Sequence, residues 1–205
     1  MIITPYYEEQ IKTLHAQRYA RNHKWGSTSA RNFGDEVCKF INGKNHIKSC
    51  LDFGSGQGSM GKYLEENLLP KRWKELDYVE YDPGVPGKDT LPNRDFELII
   101  SSDVLEHVEP AMIEETIKWM QDHCTRFLYH HIACDPAGIK LPDGRNVHLI
   151  TEDLHWWMEK FTHPNWQWMY AADCWQQKRG YFRRHCHVKL DKVSGATPIR
   201  YVPHD

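Results

Sequence analysis

Three groups of residues in this 205-residue chain have types and spacings that can do chemistry. The first is Leu51-Asp52-Phe53-Gly54-Ser55-Gly56-Gln57-Gly58, a carboxylate followed by three alternate glycines. Glycines let the main chain turn tightly and let a ligand approach it closely. Amides that open the next helix favour an anionic or acceptor group. The second is Asp82, which closes a short apolar run. A carboxylate at the tip of a second strand suits the two hydroxyls of a nucleoside ribose, whichever nucleotide-type cofactor carries it. The third is imidazole, with 13 histidines in the chain. His107, His131 and His148 are candidate acid–base groups because imidazole titrates near neutral pH. The plainer reading of each is a surface or structural histidine. Asp103, Glu106 and His107 also form D-x-x-E-H, which with His131 or His148 offers mixed oxygen and nitrogen ligands for one divalent ion.

These groups need elements to position them. Ile11, Leu14 and Tyr19 share a face of a helix over about Tyr7 to Tyr19. Asn22 to Ser29 reads as a loop. Asp35 to Ile41 continues as helix and Gly43 stops it. Strands are expected over Ile47–Phe53, Leu76–Tyr81, Phe96–Ser101 and Phe127–Ile132. Helices are expected over Ser59–Leu69, ended by Pro70, and over Pro110–Cys124. Thr151 is placed as the cap of a helix running to about Phe161. Trp166–Ala171 and Tyr181–Leu190 read as a final antiparallel pair. Strands alternating with helices predict an α/β three-layer sandwich, with a mostly parallel sheet and an antiparallel C-terminal strand. Ligands in such sheets sit at the carboxyl ends of the strands, where strand order reverses. Gly54, Asp82 and the segment after Ser101 gather there.

The length suits one domain, read as an N-terminal helical cap over 1–45 and a core over 46–205. A net charge of −2 argues against a surface built to neutralise many phosphates, although nucleic acid is not excluded. Lys178, Arg179, Arg183 and Arg184 read as a solvated strand edge rather than a binding patch. Six cysteines without a C-x-x-C pair read as reduced thiols. Five of the eight tryptophans fall between Trp156 and Trp175, so that half supplies aromatic walls to a core or pocket. Met1-Ile2-Ile3-Thr4-Pro5 lacks the pattern of a signal peptide, and no apolar run is long enough for a membrane span. We expect a cytoplasmic protein with no membrane partner.

The glycine segment resembles the first motif of class I S-adenosylmethionine-dependent methyltransferases, an acid followed by G-x-G-x-G. The dinucleotide pattern G-x-G-x-x-G is not matched. Asp95-Phe96-Glu97-Leu98-Ile99-Ile100-Ser101-Ser102-Asp103-Val104-Leu105-Glu106-His107-Val108 resembles the same family's fourth-strand motif. The resemblance covers roughly Ile47 to Asp135. It implies a Rossmann-like fold and S-adenosylmethionine as cofactor. The main chain of Gly54, Ser55, Gly56 and Gly58 would meet the methionine moiety, with Asp52 at its ammonium. Asp82 would hold the ribose, Pro83 would flank the adenine, and Asp103 and Val104 would lie near the sulfonium. Trp25 and Gly26 are candidates to close the pocket, against plain packing for Trp25. One departure stands out: Gly84 to Arg94 is too short for the usual helix and third strand. We expect that region shortened to a loop, with Asp89 as a substitute for the missing adenine-side acid.

The reaction implied is in-line methyl transfer to an oxygen or nitrogen acceptor. Positioning is the enzyme's main task there. Ser102-Asp103-Val104-Leu105 is not the (D/N/S)-P-P-(Y/F) sequence of adenine- and cytosine-amino methyltransferases, and no Pro-Cys follows the strand. A small-molecule acceptor is expected. The polar segment Leu141 to His148 follows the next strand, and Arg145, Asn146 and His148 are its substrate-side candidates. Trp156 would wall the same pocket. Some relatives with E-x-x-E-H use a metal to hold hydroxyl groups, among them quinone-precursor and RNA 3′-end 2′-O-methyltransferases. Asp103 stands where they have the first Glu, and we expect no metal. The alternatives are metal-assisted O-methylation through Asp103, Glu106 and His107, or a protein that binds the cofactor without transfer. An NAD(P) oxidoreductase is opposed by the glycine spacing.

Overall fold

The side chains of β1 alternate, and that alternation sets the layers. The computed structural model describes residues 2–21, 29–43, 46–178 and 181–192. Strand β1 (Ser49–Phe53) pairs in parallel with β2 (Asp77–Tyr81) on one side and β3 (Phe96–Ser102) on the other. Strand β4 (Cys124–Ala133) extends the parallel run, and β6 (Tyr181–Lys192) then pairs antiparallel with both β4 and β5 (Trp166–Lys178). The order is β2-β1-β3-β4-β6-β5. Leu51 and Phe53 of β1 face a core shared with α5 (Ile113–His123) and α6 (Leu154–Phe161). Cys50, from the opposite set, faces a second core with α2 (Ser29–Gly43) and α3 (Ser59–Asn67). The result is the expected three-layer sandwich. Each fully buried Leu, Ile or Phe in these cores contributes about 1.5–3 kcal/mol.

Chain order reverses between β1 and β3, so their carboxyl ends open a crevice. Helix α1 (Pro5–Ala20) lies over that end. Its N-terminus is capped by Thr4, whose side chain accepts from the Tyr7 amide, with Pro5 in the first turn. The two N-terminal helices therefore do different work. Helix α2 buries Phe33, Val37 and Ile41 as part of a sandwich layer, whereas α1 packs Tyr7 and Leu14 against Leu141 and Val147.

Several boundaries differ from the expected ones. Residues 82–95 form turns and loop without a third strand, as the short spacing predicted. Pro70 opens a further helix, α4 (Pro70–Glu75), because proline fits a first turn whose amides need no partner. The cap of α6 is Asp153, not Thr151: its carboxylate accepts from the Trp156 amide at 3.0 Å. Helix α2 starts at Ser29, before Asp35, and α5 starts at Ile113, after Pro110. Strands β5 and β6 run well past the expected ends, because each pairs along its whole length with the other. Residues 22–28, including Trp25 and Gly26, lie outside the described residues, as does Arg179.

Candidate active site

The start of the glycine loop is tied to β2 by main-chain bonds. Gly54 and Ser55 donate to the Tyr81 carbonyl at 2.8 and 3.0 Å. Gly54 has φ +79°, and a Cβ there would stand 2.4 Å from Val104. Only glycine lets the loops after β1 and β3 close on each other this tightly. Asp82, at the tip of β2, accepts from the Gly56 amide and from the Gly84 amide, each at 2.8 Å. It therefore joins the glycine loop to the turn after β2. His15 of α1 approaches the same carboxylate at 3.8 Å, and burial holds its imidazole below the usual histidine range. Lys88 bridges Glu80, at 2.8 Å, to the Gly56 carbonyl, at 3.3 Å.

A cavity of about 410 Å³ opens beside this loop. Gly54, Gly56, Asp82, Pro83, Asp103 and Val104 line it on the side of the glycine loop. Asp52, Ser55 and Gly58 do not. Asp52 is excluded by strand alternation: Phe53 faces the cavity, so the preceding side chain points to the α3 layer. There it accepts from the Tyr78 hydroxyl at 2.7 Å, and burial pushes its carboxyl up to about 7. Gly58 instead meets Glu80, whose carboxylate oxygen would lie 2.6 Å from an added Cβ.

The far wall is rich in imidazole. Asp103 sits at φ +55° and meets His131 Nδ1 at 2.9 Å and His185 Nε2 at 4.0 Å. Burial opposes its charge, but the two imidazoles outweigh that and hold its carboxyl below the usual range. His131 does not line the cavity; it lies behind and stacks on His185, which does, with ring centroids 4.6 Å apart. His107 and His148 both line the cavity, edge to face at 4.8 Å. Burial, with His148 beside it, pushes His107 down to about 4. Glu106 is fully buried, and desolvation pushes its carboxyl well above the usual range.

Three of the sequence-derived substrate residues fall outside the cavity. Arg145 is exposed and pairs with Asp143 at 2.7 Å, because the turn through Gly144 directs it outward. Asn146 folds the loop, bonding both main-chain groups of Ala137 at 3.1 and 2.8 Å. Trp156 packs against Trp157 and under Lys160. The cavity residues that sequence reasoning missed are chiefly in α1 (Tyr7, His15, Arg18) and β6 (His185). Tyr7 donates to the His107 carbonyl, and Thr4 binds Glu109 through both its amide and hydroxyl, at 3.0 and 2.9 Å. These bonds fix α1 over the cavity. The apolar stripe of α1 was visible in the sequence, but its target was not.

One cavity thus combines the Gly54 and Gly56 main chain and a strand-tip carboxylate at one end with the imidazoles of His107, His148 and His185 at the other. Residues 18–177 match the model of a family described as a methyltransferase domain. The chain belongs to this family. A comparison with curated proteins finds no match. Among solved structures, the fold recurs in 1,6-didemethyltoxoflavin-N1-methyltransferase of Burkholderia thailandensis, crystallised with bound 1,6-didemethyltoxoflavin and S-adenosylhomocysteine. That likeness has a TM-score of 0.63 at 14% identity, and covers 93% of this chain and 91% of the other. DhpI in complex with SAH gives 0.56 at 12% identity, over 90% and 96% of the two chains. Magnesium protoporphyrin IX methyltransferase (ChlM) of Synechocystis PCC 6803 gives 0.53 at 13%, over 81% and 84%.

Proposed function

We propose that this methyltransferase-family chain transfers the methyl group of S-adenosylmethionine to an oxygen or nitrogen of a small molecule. The carrying observation is that Asp82 and the main chain of Gly54 and Gly56 share one cavity with His107, His148 and His185. In this reading the loop main chain meets the methionine moiety, and Asp82 holds the ribose hydroxyls with Pro83 beside the adenine. Asp103 and Val104 flank the sulfonium. Asp52 acts from beneath, anchoring Tyr78 rather than touching the ligand.

The acceptor lone pair forms the new bond to the methyl carbon as the carbon–sulfur bond breaks. That electron pair stays on sulfur, giving S-adenosylhomocysteine. Holding the two reactants in line supplies several kcal/mol. An acceptor that must lose a proton passes it to His185, with Asp103 and His131 as positioning residues. Leu14 of α1 and apolar groups of the 137–147 loop give the acceptor end its walls. A cytoplasmic location is part of this reading. Buried Cys38, Cys50 and Cys124 are unbridged, and no described helix is long and apolar enough to cross a membrane.

The test is methyl-labelled S-adenosylmethionine incubated with the protein and either a small-molecule extract or total RNA. We expect label in the small-molecule fraction. Label in RNA alone would refute the acceptor class, and label in neither would favour a binding protein without transfer.

A further inference from the structure

Charge is divided unevenly along the cavity. Arg18 is the one lysine or arginine among its described lining residues. It lies one turn beyond His15 on α1, and His15 approaches Asp82 at 3.8 Å. At the glycine-loop end a guanidinium and a carboxylate therefore offset each other.

The far end has no such offset. Asp103 and Glu109 both line the cavity there. Burial opposes the charge of Asp103, but His131 at 2.9 Å and His185 outweigh it and keep the carboxylate ionised. Glu109 accepts from the amide and the hydroxyl of Thr4, both uncharged donors. Arg145 stands outside the cavity and pairs with Asp143. His107 is pushed down to about 4 by burial and by His148, so it is uncharged at neutral pH. The remaining wall is apolar: Tyr7, Leu14, Leu141 and Val147 form one buried cluster that borders the cavity.

Two carboxylates in a partly dehydrated wall repel an approaching oxyanion and attract a cation. We propose that the acceptor is a basic amine with an apolar body, recognised as its ammonium by Asp103 and Glu109. The inference rests on the methyl-transfer reading above and narrows the acceptor atom to nitrogen. The ammonium gives one proton to His185, and the freed nitrogen lone pair forms the bond to the methyl carbon. The carbon–sulfur pair stays on sulfur, so the positive charge leaves sulfur and appears on nitrogen. The N-methylammonium product keeps the same two carboxylates as partners. Transfer to an amine thus conserves the positive charge that this wall favours, whereas carboxylates and phosphate esters of the same shape are repelled.

Three probes of one shape test it: phenethylammonium, 2-phenylethanol and phenylacetate. Each is titrated at pH 7 to millimolar concentration into the wild type, Asp103→Asn and Glu109→Gln, followed by protein NMR, with and without S-adenosylhomocysteine. An alkyl amine is almost fully protonated at that pH. Both substitutions remove a charge and keep an oxygen for His131 or Thr4. On the wild type we expect the ammonium to bind at least tenfold more tightly than the alcohol (about 1.4 kcal/mol), and phenylacetate to bind more weakly than either. Each variant should narrow the ammonium-to-alcohol ratio by about threefold or more, the scale of a half-exposed ion pair. Unchanged affinity for the alcohol shows that the variants fold. Equal binding of the three probes, tighter binding of phenylacetate, a ratio that neither substitution moves, or no binding by any probe overturns the inference. Failure of S-adenosylhomocysteine to bind refutes the cofactor reading instead, and the ammonium preference measured without it is judged alone. In turnover with methyl-labelled S-adenosylmethionine and a small-molecule extract, we expect the label in a product that a cation exchanger retains at pH 7 and alkali releases. Label in a neutral or anionic product also overturns the inference.

Discussion

Replacing Asp52 with asparagine should stabilise the protein, and more so at high pH. Asp52 is 3% exposed and faces the α3 layer, where Tyr78 donates to it. Burial, with Glu80 and Asp82 nearby, pushes its carboxyl from 3.8 up to about 7. In the unfolded chain it titrates near 3.9. Between about pH 4 and 7 the folded state therefore holds a proton that the unfolded state has lost. Stability falls as pH rises through that window, and the penalty is complete above about pH 7. At about 1.4 kcal/mol per pH unit the ceiling is about 4 kcal/mol. Asparagine keeps an acceptor for Tyr78 and carries no charge. We expect Asp52→Asn to gain about 1–3 kcal/mol at pH 8 and close to nothing at pH 4, the lower figure reflecting relaxation around a buried charge. For about 200 residues that is roughly 3–10 °C in Tm. Urea unfolding followed by tryptophan fluorescence at pH 5 and pH 8 measures it. An asparagine variant less stable than wild type at pH 8, or an equal difference at both pH values, refutes the reasoning. A tenfold loss of S-adenosylhomocysteine affinity in this variant would return Asp52 to the cofactor's ammonium.

Gly54→Ala forces a side chain into Val104 at a left-handed backbone position, so we expect a loss of at least about 1–2 kcal/mol in thermal unfolding. Trimming Val104 to alanine as well should recover only part of it, because the backbone strain remains. Tyr7→Phe removes the hydroxyl that holds α1 to the His107 carbonyl. It should cost about 1 kcal/mol of stability and raise the acceptor KM more than it lowers kcat, by steady-state kinetics. Arg145→Ala should leave both constants within about twofold, because an exposed ion pair contributes about 0–1 kcal/mol.

The glycine-loop end of the cavity was legible because its signals are local. A strand, three alternate glycines and an acid at the next strand's tip lie in one short stretch, and the parallel pairing of the first strands follows from their alternation with helices. The orientation of Asp52 was not legible. Strand alternation separates it from Phe53, but nothing in the sequence says which face carries the cavity. The acceptor end depends on distant pairings. His185 reaches the cavity because β6 inserts antiparallel beside β4, opposite Ala133, and that register is set by the whole β5–β6 ladder. Arg145 looked substrate-facing by position, yet the turn at Gly144 points it outward. Thr151 and Asp153 are equally good cap formers two residues apart, and only the geometry at Trp156 selects one. The D-x-x-E-H run offers one ligand set only as an alternative to the metal-free expectation, and the fold divides it, placing Asp103 beside His131 and His185 and Glu106 and His107 beside His148.

The central claim is that the glycine loop and Asp82 hold S-adenosylmethionine. Calorimetric titration of S-adenosylhomocysteine into wild type and Asp82→Ala, with NAD as comparison, tests it most directly. The account predicts one binding site on the wild type, at least a tenfold weaker one (about 1.4 kcal/mol) on a variant that unfolds cooperatively, and no heat with NAD. A folded wild type that binds NAD, or that binds no S-adenosylhomocysteine at millimolar concentration, contradicts it.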